Sequence, residues 1–128
     1  MDARIDGRDS RAGEASSLLT DKPVVIRRAA RRDMVRYFGW LETEAGTDTA
    51  ERFMAAADHT FAKLAPSPQI GLSIESHNVN LAGVRKWRID GFGNMLVFYS
   101  PRANGVLILR VLHSSQDWWT ILGLDDQP

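Results

Sequence analysis

An α+β fold is predicted for this chain: an N-terminal strand, an antiparallel helical hairpin packed on a curved, mainly antiparallel sheet, and a short C-terminal helix. Three observations predict it. Between Ala29 and Leu64 apolar residues recur every three or four positions, with one interruption at Gly46, and that is the period of amphipathic helices. Two almost wholly apolar runs, Met95 to Tyr99 and Val106 to Leu112, follow one another across a Pro101-to-Gly105 connection, as central strands covered on both faces do. Just before them Val84 to Ile89 alternates basic with apolar side chains, the pattern of a strand with one wet face.

The elements follow in order. Residues 1–22 are dominated by Asp, Arg, Gly, Ala and Ser, with only Ile5, Leu18 and Leu19 available for burial, and they read as a flexible extension. Residues 23–123 are the folded domain, and 124–128 form an acidic tail. Pro23 to Arg28 is a β-branched run with proline first, where no ladder hydrogen bond is lost. Helix one places Met34, Tyr37, Phe38, Leu41 and Ala45 on one stripe and stops at Gly46. Helix two starts with Asp48 and Glu51 at capping-box spacing, buries Ala50, Phe53, Met54, Ala57, Phe61 and Leu64, and is halted by Pro66 and Pro68. A link of about three residues forces the two helices into a hairpin.

Residues 66–82 read as a loop. In the strand after it Arg85, Trp87 and Ile89 share one face and Val84, Lys86 and Arg88 the other. Phe98 and Leu109 belong to the central hairpin. Ser114 and Asp117 stand at capping-box spacing before Trp118, Trp119, Ile121 and Leu122, which predicts the terminal helix.

Composition narrows the function classes. A chain of 128 residues suits one domain that buries roughly two-thirds of its unfolded surface. With no cysteine there is no disulfide, thiolate metal site or thiol nucleophile, which fits a reducing cytoplasm. No apolar run is long enough for a membrane span, and residues 1–23 lack the apolar middle of a signal peptide. The net charge of zero hides an uneven spread: Lys+Arg against Asp+Glu runs 5 to 2 over residues 66–113 and 0 to 3 over 114–128. A general polyanion binder is disfavoured, whereas a local basic face is compatible with these counts.

Candidate sites follow from residue type and spacing. His59, His77 and His113 are far apart and lack metal-ligand spacing, so no metal and no cofactor is expected. Glycines 91, 93 and 105 are turns, because none stands between a strand and a helix N-terminus. Within Arg27, Arg28, Arg31, Arg32 and Arg36, residues 28, 32 and 36 lie along one helical face that suits phosphate or an acidic partner, or else a solvated face partly paired with Asp33. Arg85, Lys86, Arg88 and Arg110 fall on strands expected to be neighbours, where they would either meet an acidic partner or remain ordinary surface charge. His113 suits proton transfer by its ordinary pKa, with Arg110, Lys86 and Asp117 as nearest helpers, or it simply hydrogen-bonds the backbone or Asp117. Trp118 and Trp119 are adjacent, so one of them should be partly exposed, at an interface or over the helical hairpin.

Four segments together resemble the RelE/ParE superfamily of bacterial toxins, and its ParE branch in particular: IRRAARRDMVRYFGWL, ERFMAAADHTFAKLAPSPQIG, VRKWRIDGFGNMLVFY and GVLILRVLHSSQD. The match spans about Val24 to Leu122, and its last two segments are the more specific. The resemblance implies a cytoplasmic toxin of a type II toxin-antitoxin pair, held inactive in a hetero-oligomer with a cognate antitoxin. ParE-like relatives interfere with DNA gyrase, whereas RelE-like relatives cut messenger RNA on the ribosome with clustered Lys/Arg and a C-terminal Tyr or His. The sequence SSQDWW after His113 departs from the nuclease pattern and favours the gyrase-directed class. Partner binding then falls to Arg85, Lys86, Trp87, Arg88, Arg110, Trp118 and Trp119, with no catalytic residue. The alternatives are a nuclease using His113, Arg110, Lys86 and Arg88, or an inactive interaction module of the same fold.

Overall fold

The computed structural model describes residues 23–74 and 79–123. The expected N-terminal extension, the acidic tail and His77 lie outside the described residues. Strand β1 (Val24–Ile26) leads into helices α1 (Arg28–Ala45) and α2 (Thr47–Leu64). Strands β2 (Leu72–Ser73), β3 (Arg85–Ile89), β4 (Phe92–Arg102) and β5 (Gly105–His113) follow, and helix α3 (Trp118–Leu122) ends the described chain.

The hairpin turns on one residue rather than the three expected. Gly46 donates its N–H to the carbonyls of Leu41 and Glu42, closing α1, and its own carbonyl accepts from Ala50, opening α2. That double role requires φ of 97°, a region costly for any residue with a Cβ. The capping box is not formed. Gly46 occupies the N-cap without a side-chain bond, and Asp48 sits inside the first turn, where a carboxylate still favours the positive end of the helix dipole.

The sheet is mixed, in the order β1-β5-β4-β3-β2. β1 runs parallel to β5 with Val24 opposite Val106 and Ile26 opposite Ile108, while the other pairs are antiparallel. The segment read as loop contributes the edge strand β2, with Leu72 opposite Lys86. The β4–β5 connection is also tighter than expected, because β4 continues through Pro101 to Arg102 and β5 starts at Gly105. Pro101 lies beyond the reach of β3, whose pairing ends at Tyr99, so its missing N–H breaks no ladder. Gly105 has φ of 149°, and a Cβ there would collide with the Pro23 carbonyl oxygen, which accepts the Val106 N–H at 3.1 Å.

β4 is buried on both faces, as its unbroken apolar run predicts. Met95, Val97 and Tyr99 face Phe53, Phe61 and Leu64 of the helical hairpin, and Leu96 and Phe98 face a smaller cluster with Val84, Leu112 and Trp118. The α2 stripe packs as the periodicity requires, with Met54 partly buried at its margin, whereas Ala45 of the α1 stripe is exposed. The short α3 covers the face opposite the helical hairpin. Trp118 therefore packs 5.3 Å from Phe98 and not over the helices.

Tyr99 ties the 66–74 segment to the sheet. Its hydroxyl donates to the Pro68 carbonyl at 2.6 Å and accepts the Gly71 N–H at 2.9 Å. Burial pushes the phenol above its ordinary pKa, partly offset by the Gly71 N–H and the positive field of Arg85.

The packing sets what three substitutions cost. Phe98→Ala should cost about 3 to 5 kcal/mol in urea unfolding, while Leu109→Ala, only half-buried, should cost about 1 kcal/mol. Tyr99→Phe should lose about 1 to 2 kcal/mol at neutral pH. Because the folded-state pKa is raised, the tyrosine's contribution is present below about pH 10 and is lost as pH rises through that folded value. Urea curves of both proteins at stepped alkaline pH should therefore converge.

Candidate functional site

Side-chain alternation along β3 places Lys86 and Arg88 on the sheet face away from the helical hairpin, opposite Phe98 and Leu96 of β4. A groove of about 740 Å³ opens there, bordered by Leu72 on the edge strand, Lys86, Arg88, Asn94, Leu96 and Trp118. The Lys86 ammonium sits 4.6 Å over the Trp118 ring, a cation–π arrangement that holds the charge at the groove wall. Trp119 meets Trp118 edge-on at 4.2 Å and is 50% exposed. The acid at the rim, Asp90, is engaged from the helix side by Lys63 at 2.8 Å, and His59 lies 3.9 Å away. Among the described residues neither Lys86 nor Arg88 has an ion-pair partner. The groove therefore combines positive charge, aromatic surface and an exposed leucine, a combination that suits an acidic chain with apolar anchors.

The other two cations of the predicted set are employed elsewhere. Arg85 points to the helix side and donates to the Gly71 carbonyl at 2.6 Å and to Gln69 at 3.3 Å, holding the segment that carries β2. Arg110 lies on β5, which β4 separates from β3, so the four cations do not sit on adjacent strands. A register shift between Phe98 and Tyr99 pairs Phe98 with Arg110 but Tyr99 with Ile108. This bulge brings Arg110 and Val111 together against Asp33 of α1. Arg110 donates from Nε at 2.7 Å and from Nη2 at 2.8 Å, and the Val111 N–H adds a third bond at 2.9 Å. Asp33 is thus buried against the sheet and does not pair with the arginines of its own helix. The hydrogen bonds from Arg110 to Asp33 raise the guanidinium pKa further, against the opposing effect of burial.

His113 stands opposite Met95, on the helix side of the sheet, with its ring 6.3 Å from that of Tyr37. Its Nδ1 accepts the Ser115 N–H at 3.0 Å and lies 2.7 Å from the Ser115 hydroxyl. Asp117, expected as its partner, instead accepts from Thr120; the Ser114 backbone N–H donates to the Asn94 carbonyl, and the expected capping box is not formed, because Asp117 occupies the N-cap of α3 without a side-chain cap bond. The residues expected of a nuclease are consequently divided: Lys86 and Arg88 on one face, His113 on the other, Arg110 locked in an ion pair. Trp87 is split from Lys86 in the same way. Its ring packs with the helix-side core, the Lys63 ammonium lies 5.8 Å from its centroid, and its Nε1 is buried with no hydrogen-bond partner. Leu72 and the Lys63–Asp90 pair escaped the sequence reading; the alternation of Leu72, Ser73 and Ile74 after Gly71 was the available signal for an edge strand.

Among the described residues no three metal-ligating side chains converge, and no helix is long and apolar enough to cross a membrane. Comparison with known proteins adds a family. The model of the ParE toxin of type II toxin-antitoxin systems, parDE, matches residues 24–118. A solved structure titled as the chromosomal ParDE TA system from P. aeruginosa is similar at a TM-score of 0.59 and 15% identity, covering 72% of this chain and 95% of that one. At that identity the likeness is one of fold. No curated protein sequence matches the chain.

The ion pair makes a measurable prediction. Asp33→Ala should destabilise the protein by about 3 to 5 kcal/mol, because it strands a half-buried guanidinium and the Val111 N–H. A cycle with Arg110→Ala and the double variant, followed by urea unfolding, should show strong non-additivity.

Proposed function

Because the chain belongs to the ParE toxin family of type II toxin-antitoxin systems, we propose that it arrests bacterial growth by interfering with DNA gyrase, and that a cognate antitoxin silences it by covering the groove of Lys86, Arg88, Trp118 and Trp119. The observation that carries the antitoxin contact is the pair of cations without ion-pair partners among the described residues, beside an aromatic wall and an exposed edge strand. Such a surface attracts an acidic segment and gains from burying that segment's apolar side chains. β2 has only two residues, so β3 beyond Lys86 offers main-chain groups to an added strand. The complex is a toxin-antitoxin hetero-oligomer of the cytoplasm. Of the residues expected to bind partners, Arg85 and Arg110 then serve to hold the fold, and Trp87 supports the groove from behind.

A non-enzymatic mode of action is supported by the division of the would-be nuclease residues over two faces, since proton transfer demands groups within hydrogen-bond reach of one another or of the substrate. Expression without antitoxin should halt growth, induce a DNA-damage response and accumulate linear plasmid. Arrest with intact DNA and rapid loss of messages would point to ribosome-dependent cleavage, and failure to arrest growth at any expression level to an inactive module. His113→Ala should leave toxicity unchanged in the same assay. For the antitoxin, Lys86→Glu with Arg88→Glu should weaken the complex by about tenfold or more and flatten its salt dependence in calorimetry.

A further inference from the structure

The arginines of α1 are left over once the groove and the ion pair are assigned. Arg28, Arg32 and Arg36 are exposed, and with Trp40 they form one i, i+4 row along the helix. Among the described residues none of the three is in an ion pair. Of the three acids of α1, Asp33 is turned into the sheet by Arg110 and Glu42 and Glu44 lie beyond Trp40, while Asp58 of α2 lies close enough to Arg31 to feel its charge. At its far end the row meets a stacked pair, Tyr37 and Trp40, with centroids 5.6 Å apart and planes inclined by 17°. Tyr37 is braced edge-on by Phe53 at 4.9 Å, so its orientation is held from the core, while Trp40 stays 55% exposed. Alongside lies a second cavity of about 430 Å³ whose lining includes Arg36, Tyr37, Trp40, His113, Gln116 and Asp33, the last neutralised by Arg110. It opens where β1 ends and leaves the flank of β5 uncovered beyond Ile108.

We propose that this row and cavity form a binding track for a single strand of nucleic acid, with phosphates on Arg28, Arg32 and Arg36 and one base stacked at Trp40, on the face opposite the antitoxin groove. The chemistry fits in three respects. Guanidiniums four residues apart step roughly 6 Å along a helix, about the interval of neighbouring phosphates in an extended strand. A pre-stacked, exposed indole offers a planar face to any base. The cavity beside it is of ligand-pocket size, and with Nδ1 of His113 occupied by Ser115, the Nε2–H is left to donate to a base edge or sugar. An acidic peptide would match the arginines but would leave the stacked rings without a planar partner. The inference does not depend on gyrase being the target.

The test is fluorescence anisotropy of the full chain with labelled 12-nucleotide oligo-dT and oligo-U strands across a salt series. Binding of either strand is expected, with a log–log salt slope of about −2 for three phosphates; a preference for oligo-U would assign the cavity to the 2′-hydroxyl and a preference for oligo-dT would assign it to the thymine methyl. Arg32→Gln should reduce the slope by about 0.7, Trp40→Ala should weaken binding roughly 5- to 100-fold with the slope retained, and Trp40→Phe should restore most of it. Arg102→Gln, an exposed arginine away from the row, should change nothing, and circular dichroism should show every variant folded. No binding at low salt, equal binding of poly-glutamate, or binding lost on Lys86→Gln with Arg88→Gln instead of on the α1 substitutions would overturn the proposal.

Discussion

A carboxylate buried under α1 governs much of what this molecule can present to a partner. Asp33 is 4% exposed and receives two bonds from Arg110 and one from the Val111 backbone. A buried charge costs several kcal/mol unless it is fully hydrogen-bonded, so α1 is held at the rotation and height that keep all three donors in line. β1 ends at Ile26, and past Ile108 the open edge of β5 would show unpaired main-chain donors. Asp33 takes the one at Val111, and Gln116 takes the one at His113. The same contact therefore docks the helical hairpin and blocks strand addition at that edge.

Its electrostatic consequences reach both surfaces. Arg110 is removed from the cationic set that the strands would otherwise share, and Asp33 is removed from the arginines of its own helix. Positive charge thereby concentrates in two separated places: Lys86 and Arg88 against the Trp118 wall, and the arginine row of α1. The net charge of zero conceals both, since the balancing acids lie elsewhere or are already paired, as Asp90 is with Lys63.

β4 keeps the two surfaces apart. Because its neighbours bury it on both faces, the helices occupy one side and the short α3 only part of the other, leaving a groove where the second layer is incomplete. Tyr99 and Gly71 then place the edge strand that forms one rim. The chain belongs to the ParE toxin family, and its basic residues are divided between surfaces instead of converging on one point.

Local pattern carried the elements themselves. The 3.6-residue period of Phe53, Ala57, Phe61 and Leu64 could only be a buried helical stripe, and the runs around Val97 and Ile108 were too short for helices and too apolar for an exposed position. Gly46 announced the break between helices because no other residue turns the chain so cheaply. The motifs of the third and fourth segments were enough to suggest the family. Contacts between residues far apart in the chain were another matter. Asp33 and Arg110 are separated by 77 positions, and nothing in either neighbourhood says that a bulge at Leu109 will bring them together. The edge strand at Leu72, the single-residue turn at Gly46 in place of a capping box, and the assignment of His113 and Lys86 to opposite faces likewise depend on register and on how the layers pack. Periodicity reports which side of an element is apolar. It does not report which neighbour that side will meet, because that choice is made by packing among all the elements at once.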